Sequence, residues 1–241
     1  MRLNVELIVT HATPGVLAAK QATTAIPIVM ASQGDAVATG LVTSLARPGG
    51  NITGSNFFSP QLQAKRLELL KEVLPQVRRF GFLANPGTAP MPREVLKVMS
   101  VTAQSLKVEL QEFDVRGPQE FESVFAEMAK RRVAAFTMMD EPMLTANGAS
   151  VASIAAQHRI AAIGPSWFPE VGGLMGYGPD VPALFRRTAV YVDKILKGTR
   201  PSDIPVEQAT RFEMIVNMKT AKALGIKIPN SILVRADRVI E

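Results

Sequence analysis

Cysteine is absent from the 241 residues. That excludes disulfides, thiolate nucleophiles and Cys-ligated metals together. Histidine is nearly absent too: His11 and His158 are the only two, and no nearby nucleophile completes a catalytic arrangement with His11. His158 falls near a predicted helix end, where the helix dipole accounts for it. No apolar run reaches the roughly 18 residues a membrane-spanning helix needs. No basic-then-apolar leader opens the chain, so the sequence is expected to carry no export signal of its own. There is no HExxH, no phosphate-binding loop and no GxGxxG after a strand; Gly172, Gly173 and Gly176 have the wrong spacing. The carboxylates do not cluster with the histidines, so neither a metal nor a cofactor is expected. Aromatics make up only 6% of the chain and do not interleave with the basic residues. The net charge of +6 is dispersed over Arg78-Arg79, Lys130-Arg131-Arg132, Arg186-Arg187 and single sites, which argues against a nucleic-acid platform.

What the sequence does have is alternation. Short apolar runs at 5–10, 26–30 and 51–54 read as strands of a first block, and those at 80–84, 108–113, 133–138 and 160–164 as strands of a second. Between them the spacing predicts helices from Pro14 to Thr23, over 36–46, from Ser59-Pro60 to Leu74, and over 92–106, 118–131 and 143–158. Leu62, Leu67, Leu69, Leu70 and Val73 give the third of these its buried stripe. Strands alternating with helices imply α/β architecture, with parallel sheets covered on both faces. The glycine-dense stretch 172–180 reads as a crossing segment and 198–205 as a linker. A helix over 181–197 lies between them, and a strand (213–217), a helix (218–224) and a short end segment follow. The expected organisation is two lobes: 1–56 in the first, 57–175 in the second, 176–203 returning to the first, and 204–241 as a crossing and C-terminal segment.

In parallel sheets ligands bind beyond the carboxyl ends of the strands. The residues there are Thr10, His11, Ala12 and Thr13; Ser32, Gln33, Gly34 and Asp35; Asn56 through Ser59; Asn85 through Thr88; Asp140 and Glu141; Ser166 and Trp167. Nearly all are small, amide, hydroxyl or acidic, a hydrogen-bonding rim without a catalytic arrangement. The segment from Thr10 to Thr13, before Pro14, reads either as a carboxylate site at a helix start or as a plain N-cap. Asp140 reads either as a partner for an ammonium or as a cap, and so does Asp35. Trp167 and Phe168, and Phe57 and Phe58, are either core or a stacking wall. Tyr177 either contacts a ligand or anchors a hinge.

Several segments carry a resemblance. Residues 13–27 (TPGVLAAKQATTAIP), 42–54 (VTSLARPGGNITG), 65–75 (KRLELLKEVLP), 172–180 (GGLMGYGPD), 191–198 (YVDKILKG) and 217–229 (NMKTAKALGIKIP) resemble the tryptophan/tyrosine-type ABC transporter substrate-binding proteins. The resemblance covers essentially the whole chain. It implies a two-lobed periplasmic-binding-protein fold of type 1. By implication the protein is not an enzyme. It would capture an amino-acid-like solute, aromatic or branched-chain, by hinge closure and hand it to an ABC permease. A periplasmic or extracellular lipoprotein is the implied location. Carried over by position, the ligand residues are Thr10, Ala12, Thr13, Ser32, Gln33, Asp35 and Asn56 in the first lobe and Asn85, Asp140, Ser166 and Trp167 in the second, with Tyr177 and Asp180 near a crossing. Thr13 and neighbouring amides would hold a carboxylate and Asp140 an ammonium. Members of the family carry an export leader and a first β-α-β segment ahead of the position of Val5. Their absence here would leave a strand edge uncovered in the first lobe and favour a homodimer through it. A sensory domain of the same fold is the alternative. An α/β enzyme is a more distant one, and without cysteine it is not a racemase working through a cysteine pair.

Overall fold

Ile28, Val29 and Met30 are each fully buried, and so are Phe80, Phe82, Leu83, Ala135 and Phe136. Consecutive strand residues point to opposite faces, so each of these strands is covered on both sides. The computed structural model describes residues 4–57, 60–86 and 93–241, with the backbone alone at Arg93. Expectations placed on Phe58, Ser59, residues 87–88 and Pro92 lie outside the described residues.

In chain order the elements are β1 (Ile8–Thr10), α1 (Ala12–Ala22), β2 (Ile28–Gln33) and β3 (Ile52–Asn56). There follow α2 (Pro60–Val73), β4 (Arg79–Ala84), α3 (Arg93–Ser105), β5 (Glu109–Asp114), α4 (Phe121–Lys130) and β6 (Ala135–Met138). Next come α5 (Pro142–Ala146), α6 (Gly148–Gln157), β7 (Ala161–Gly164), β8 (Met175–Pro179) and α7 (Val181–Leu196). The chain closes with β9 (Glu207–Gln208), β10 (Phe212–Asn217), α8 (Met218–Leu224), α9 (Asn230–Leu233) and β11 (Arg238–Ile240).

The chain divides into two units, the first made of residues 1–59 and 179–211, the second of 60–178 and 212–241. In unit 1 the sheet order is β1-β2-β3-β9, and its paired strands run parallel. One face of this sheet packs Val16, Ile28, Met30, Ile52, Leu41 and Val42 together. The other packs Val29 against Tyr191, Ile195 and Ile204. In unit 2 the order is β11-β10-β8-β7-β6-β4-β5. Its main core joins Phe113, Phe121, Phe125, Phe136, Met138 and Phe168 with aliphatic residues of α6. Phe125 meets Phe136 edge-on, with ring centroids 5.3 Å apart, the arrangement that the ring quadrupole favours.

Four local expectations are corrected. The helix over 36–46 is a single turn instead. Asp35 Oδ1 accepts from the amides of Val37 and Ala38. Gly40, at φ 67°, then turns the chain so that the amides of Leu41 and Val42 reach the Ala36 carbonyl. A glycine in the left-handed region closes a helix as soon as it opens. The helix over 143–158 is two helices. At the break, Asn147 has φ −112°, and its Nδ2 donates to the Met143 carbonyl (2.8 Å), a side-chain bond that competes with continued helix. Residues 175–179 are not an unpacked segment but strand β8, next to β7 and β10 in the sheet, and the chain passes from unit 2 to unit 1 at its end, between residues 178 and 179. Finally, β9 joins β3 after the presumed linker, burying Ile204 and Val206 on the way.

Candidate functional site

The carboxyl ends of the unit 1 strands carry a hydrogen-bonded rim. Helix α1 starts at Ala12, so Thr13 is not its cap and Pro14 stands at its third position. Proline is tolerated there because first-turn amides have no helical partner. Ala12 is left-handed, at φ 56°, an uncommon conformation for a residue with a Cβ. Gln33, the last residue of β2 and fully buried, donates Nε2 to Thr13 Oγ1 (2.9 Å). Its Oε1 has no hydrogen-bond partner among the described residues. Ser32 precedes it, and Asn56 ends the neighbouring strand in register with Gln33. Asn56 Oδ1 accepts from the Ala36 amide (3.3 Å), which ties β3 to the turn that Asp35 caps. Thr10 ends β1. His11 follows it and lies against Phe185, with ring centroids 5.8 Å apart.

Asp180 has a capping role. It caps α7, accepting from the Ala183 amide (2.9 Å). Its carboxylate lies 4.0 Å from Arg186 and 3.7 Å from Arg211. Both arginine side chains are largely exposed, so these pairs are weak. Beneath the rim, burial and then the charge of Glu207 push the Tyr191 hydroxyl up to about 12. Glu207 itself is held below the ordinary carboxylate range, first by its hydrogen bonds from Arg187.

The rim of unit 2 is organised around charge. Asp140 follows β6, and Arg66 of α2 grips it: Nη1 donates to Oδ2 (2.6 Å) and Nη2 to Oδ1 (3.0 Å). Gln63 Nε2 adds a bond to Oδ2 (3.2 Å). The adjacent Glu141, not Asp140, caps α5 by accepting from the Met143 and Leu144 amides. Glu141 also accepts from Asn85 Nδ2 (3.3 Å), which joins the ends of β4 and β6. Ser166 and Trp167 follow β7. The Trp167 ring fills the space a Cβ at Gly148 would occupy, and it meets Phe168 edge-on. Tyr177, in β8, stacks on Phe212 with centroids 5.9 Å apart. Its carbonyl accepts from Arg66 Nε (2.7 Å).

Arg66 and Gln63 were missed from the sequence, although a signal exists. They lie at i, i+3 inside the leucine stripe of α2, and both are fully buried. A charged residue on a buried stripe must have a partner. Phe185 and Phe212 carried no comparable signal. No group of three or more His, Cys, Asp or Glu suited to a metal occurs among the described residues. Nor is any described helix long and apolar enough to cross a membrane.

Two α/β units, each with a hydrogen-bonding rim at its strand ends, form the two-lobed architecture of periplasmic binding proteins. The chain belongs to the ABC transporter substrate binding protein family, which it matches over residues 2–240. This is a family of non-catalytic solute-binding proteins. A structure of an ABC domain from Streptococcus pneumonia in complex with L-Trp is 28% identical, with a TM-score of 0.89 over 98% of this chain and 79% of that one. A conserved domain protein from Vibrio cholerae O1 biovar El Tor is likewise 28% identical, with a TM-score of 0.90 over the same shares. A tyrosine-binding protein of Clostridioides difficile (strain R20291) is 28% identical over 224 residues. That alignment takes in 92% of this chain, which spans 64% of the length of that relative.

Proposed function

We propose that this chain is the solute-capturing component of an ABC uptake system and that its ligand is an amino acid with an aromatic side chain. The observation that carries the reading is the likeness to the L-Trp complex over 98% of the chain. The tyrosine-binding relative supports the same ligand class. Capture follows from closure of the two lobes, with binding energy spent on the closed form. In unit 1, the helix start after Thr10 and the hydroxyl of Thr13 receive the ligand carboxylate. Gln33 Oε1, buried and unpartnered, accepts from a ligand N–H, since leaving such an acceptor unmet is costly. Ser32, Asp35 and Asn56 hold these groups in place. In unit 2, Asn85, Asp140 and Ser166 complete the polar contacts, and Trp167 and Tyr177 supply aromatic surface for the ligand side chain. Asp180 sets the start of α7. The partner is a membrane permease, and the protein acts outside the cytoplasmic membrane as a lipoprotein.

A thermal-shift panel of the common amino acids tests this reading. A ligand at about 100 times its dissociation constant adds about 2.7 kcal/mol of stability. The expected result is a rise in melting temperature confined to Trp, Tyr and Phe. A rise with branched-chain amino acids alone replaces the aromatic reading, and a flat response across the panel overturns it.

A further inference from the structure

Arg66 is fully buried, and its guanidinium makes four hydrogen bonds. Two go to Asp140, as above, one to the Met138 carbonyl (3.1 Å) and one to the Tyr177 carbonyl (2.7 Å). A carboxylate offers about four lone-pair sites, and Asp140 gives one each to Arg66 Nη1, Arg66 Nη2 and Gln63 Nε2. Its charge is cancelled and its plane is fixed. Stability alone does not call for this arrangement, because a buried ion pair is often replaced by packed apolar residues at no loss. An apolar residue at 66 would also continue the leucine stripe of α2. What the guanidinium adds is geometry: one planar fork ties the end of β6 to β8 at the place where Asp140 and Tyr177 emerge.

We infer that Arg66 is the positioning residue of the unit 2 rim. It neutralises and orients Asp140 and fixes the Tyr177 backbone, so that this rim meets the ligand as a neutral hydrogen-bonding surface rather than as a free anion. The inference rests on the ligand reading above. It makes the ligand ammonium a hydrogen-bond donor to this rim, not the counter-ion of Asp140.

The test measures affinities by calorimetry for L-tryptophan, for tryptamine, which lacks the carboxylate, and for indole-3-propionate, which lacks the ammonium. Weak probes are read by displacement of L-tryptophan. In Arg66→Met the Asp140 charge is uncompensated, so tryptamine gains on indole-3-propionate by about tenfold, equivalent to about 1.4 kcal/mol. Adding Asp140→Asn returns the ratio to that of the parent protein. Arg66→Lys keeps the charge and restores the ratio without the full affinity. Equal weakening of all three probes in Arg66→Met, with no change of ratio, overturns the inference. If that variant does not fold, Asp140→Asn decides: it leaves Arg66 uncompensated and moves the ratio toward indole-3-propionate, and an unmoved ratio overturns the inference. If the parent protein binds none of the three, the ligand reading has failed and the inference falls with it.

Discussion

The two units use one design and secure it in opposite ways. Each has a sheet with polar residues at its strand ends, all parallel in unit 1 and mixed in unit 2, where β10 runs against β8. In unit 1 the buried bonds of the rim are neutral, Gln33 to Thr13 and the Ala36 amide to Asn56, and the Asp35 carboxylate caps its own turn at the surface. In unit 2 it is held by a buried arginine on an aspartate and by a glutamate that caps α5 while accepting from Asn85. Losing one partner of a neutral pair costs one modest bond. Losing one partner of a buried ion pair strands a charge. The rim of unit 2 is therefore the more brittle of the two.

The largest effect is expected there. Arg66→Met should lower unfolding stability by about 3–5 kcal/mol, as breaking a buried pair does. Arg66→Met combined with Asp140→Asn should recover much of that loss. Urea denaturation of both variants checks the prediction, and an equal loss in the two would mean that packing, not charge, holds this rim. Next is Gly54→Ala in unit 1. Gly54 has φ 137°, and a Cβ there would lie 2.2 Å from the Met30 carbonyl oxygen. Backbone strain alone makes the cost about 1–3 kcal/mol, read as a fall in melting temperature. Gln33→Leu should cost only about 0.5–1.5 kcal/mol, one neutral hydrogen bond. A loss as large as that of Arg66→Met would erase the contrast between the rims.

Much of this contrast was hidden in the sequence for physical reasons. The strand and helix alternation of unit 2 was legible because its apolar runs are short and bounded, as in Phe80 through Ala84. The turn at Asp35 was legible as a cap, but not as a helix of a single turn: Gly40 closes it by backbone conformation, which composition does not reveal. Strand β8 was misread because glycine density signals a loop, whereas here it lets a strand lie inside a sheet. The place of the rim residues at strand ends was legible because short apolar runs mark where each strand stops. For Arg66 the leucine stripe of α2 signalled a partner but not its place, because it reaches the rim from a helix, across a distance in sequence that periodicity cannot show.

The smallest expected effect is electrostatic and lies in unit 1. Glu207 is held below its ordinary value of 4.5, first by hydrogen bonding from Arg187. A depressed carboxylate adds stability that is fully present above its unfolded value and is lost as pH falls through the folded one. The melting-temperature gap between the parent protein and Glu207→Gln should therefore shrink as pH drops below 4.5. The pair is nearly half exposed, so the gap is small at any pH. A gap that widens on acidification would contradict the assignment.

Calorimetric titration with L-tryptophan separates a receptor for aromatic amino acids from a folded protein that binds something else. Saturable heat with one ligand per chain is expected, displaced by L-tyrosine or L-phenylalanine but not by lysine or glutamate. No heat at millimolar L-tryptophan, L-tyrosine and L-phenylalanine, from a protein that melts cooperatively, would contradict it.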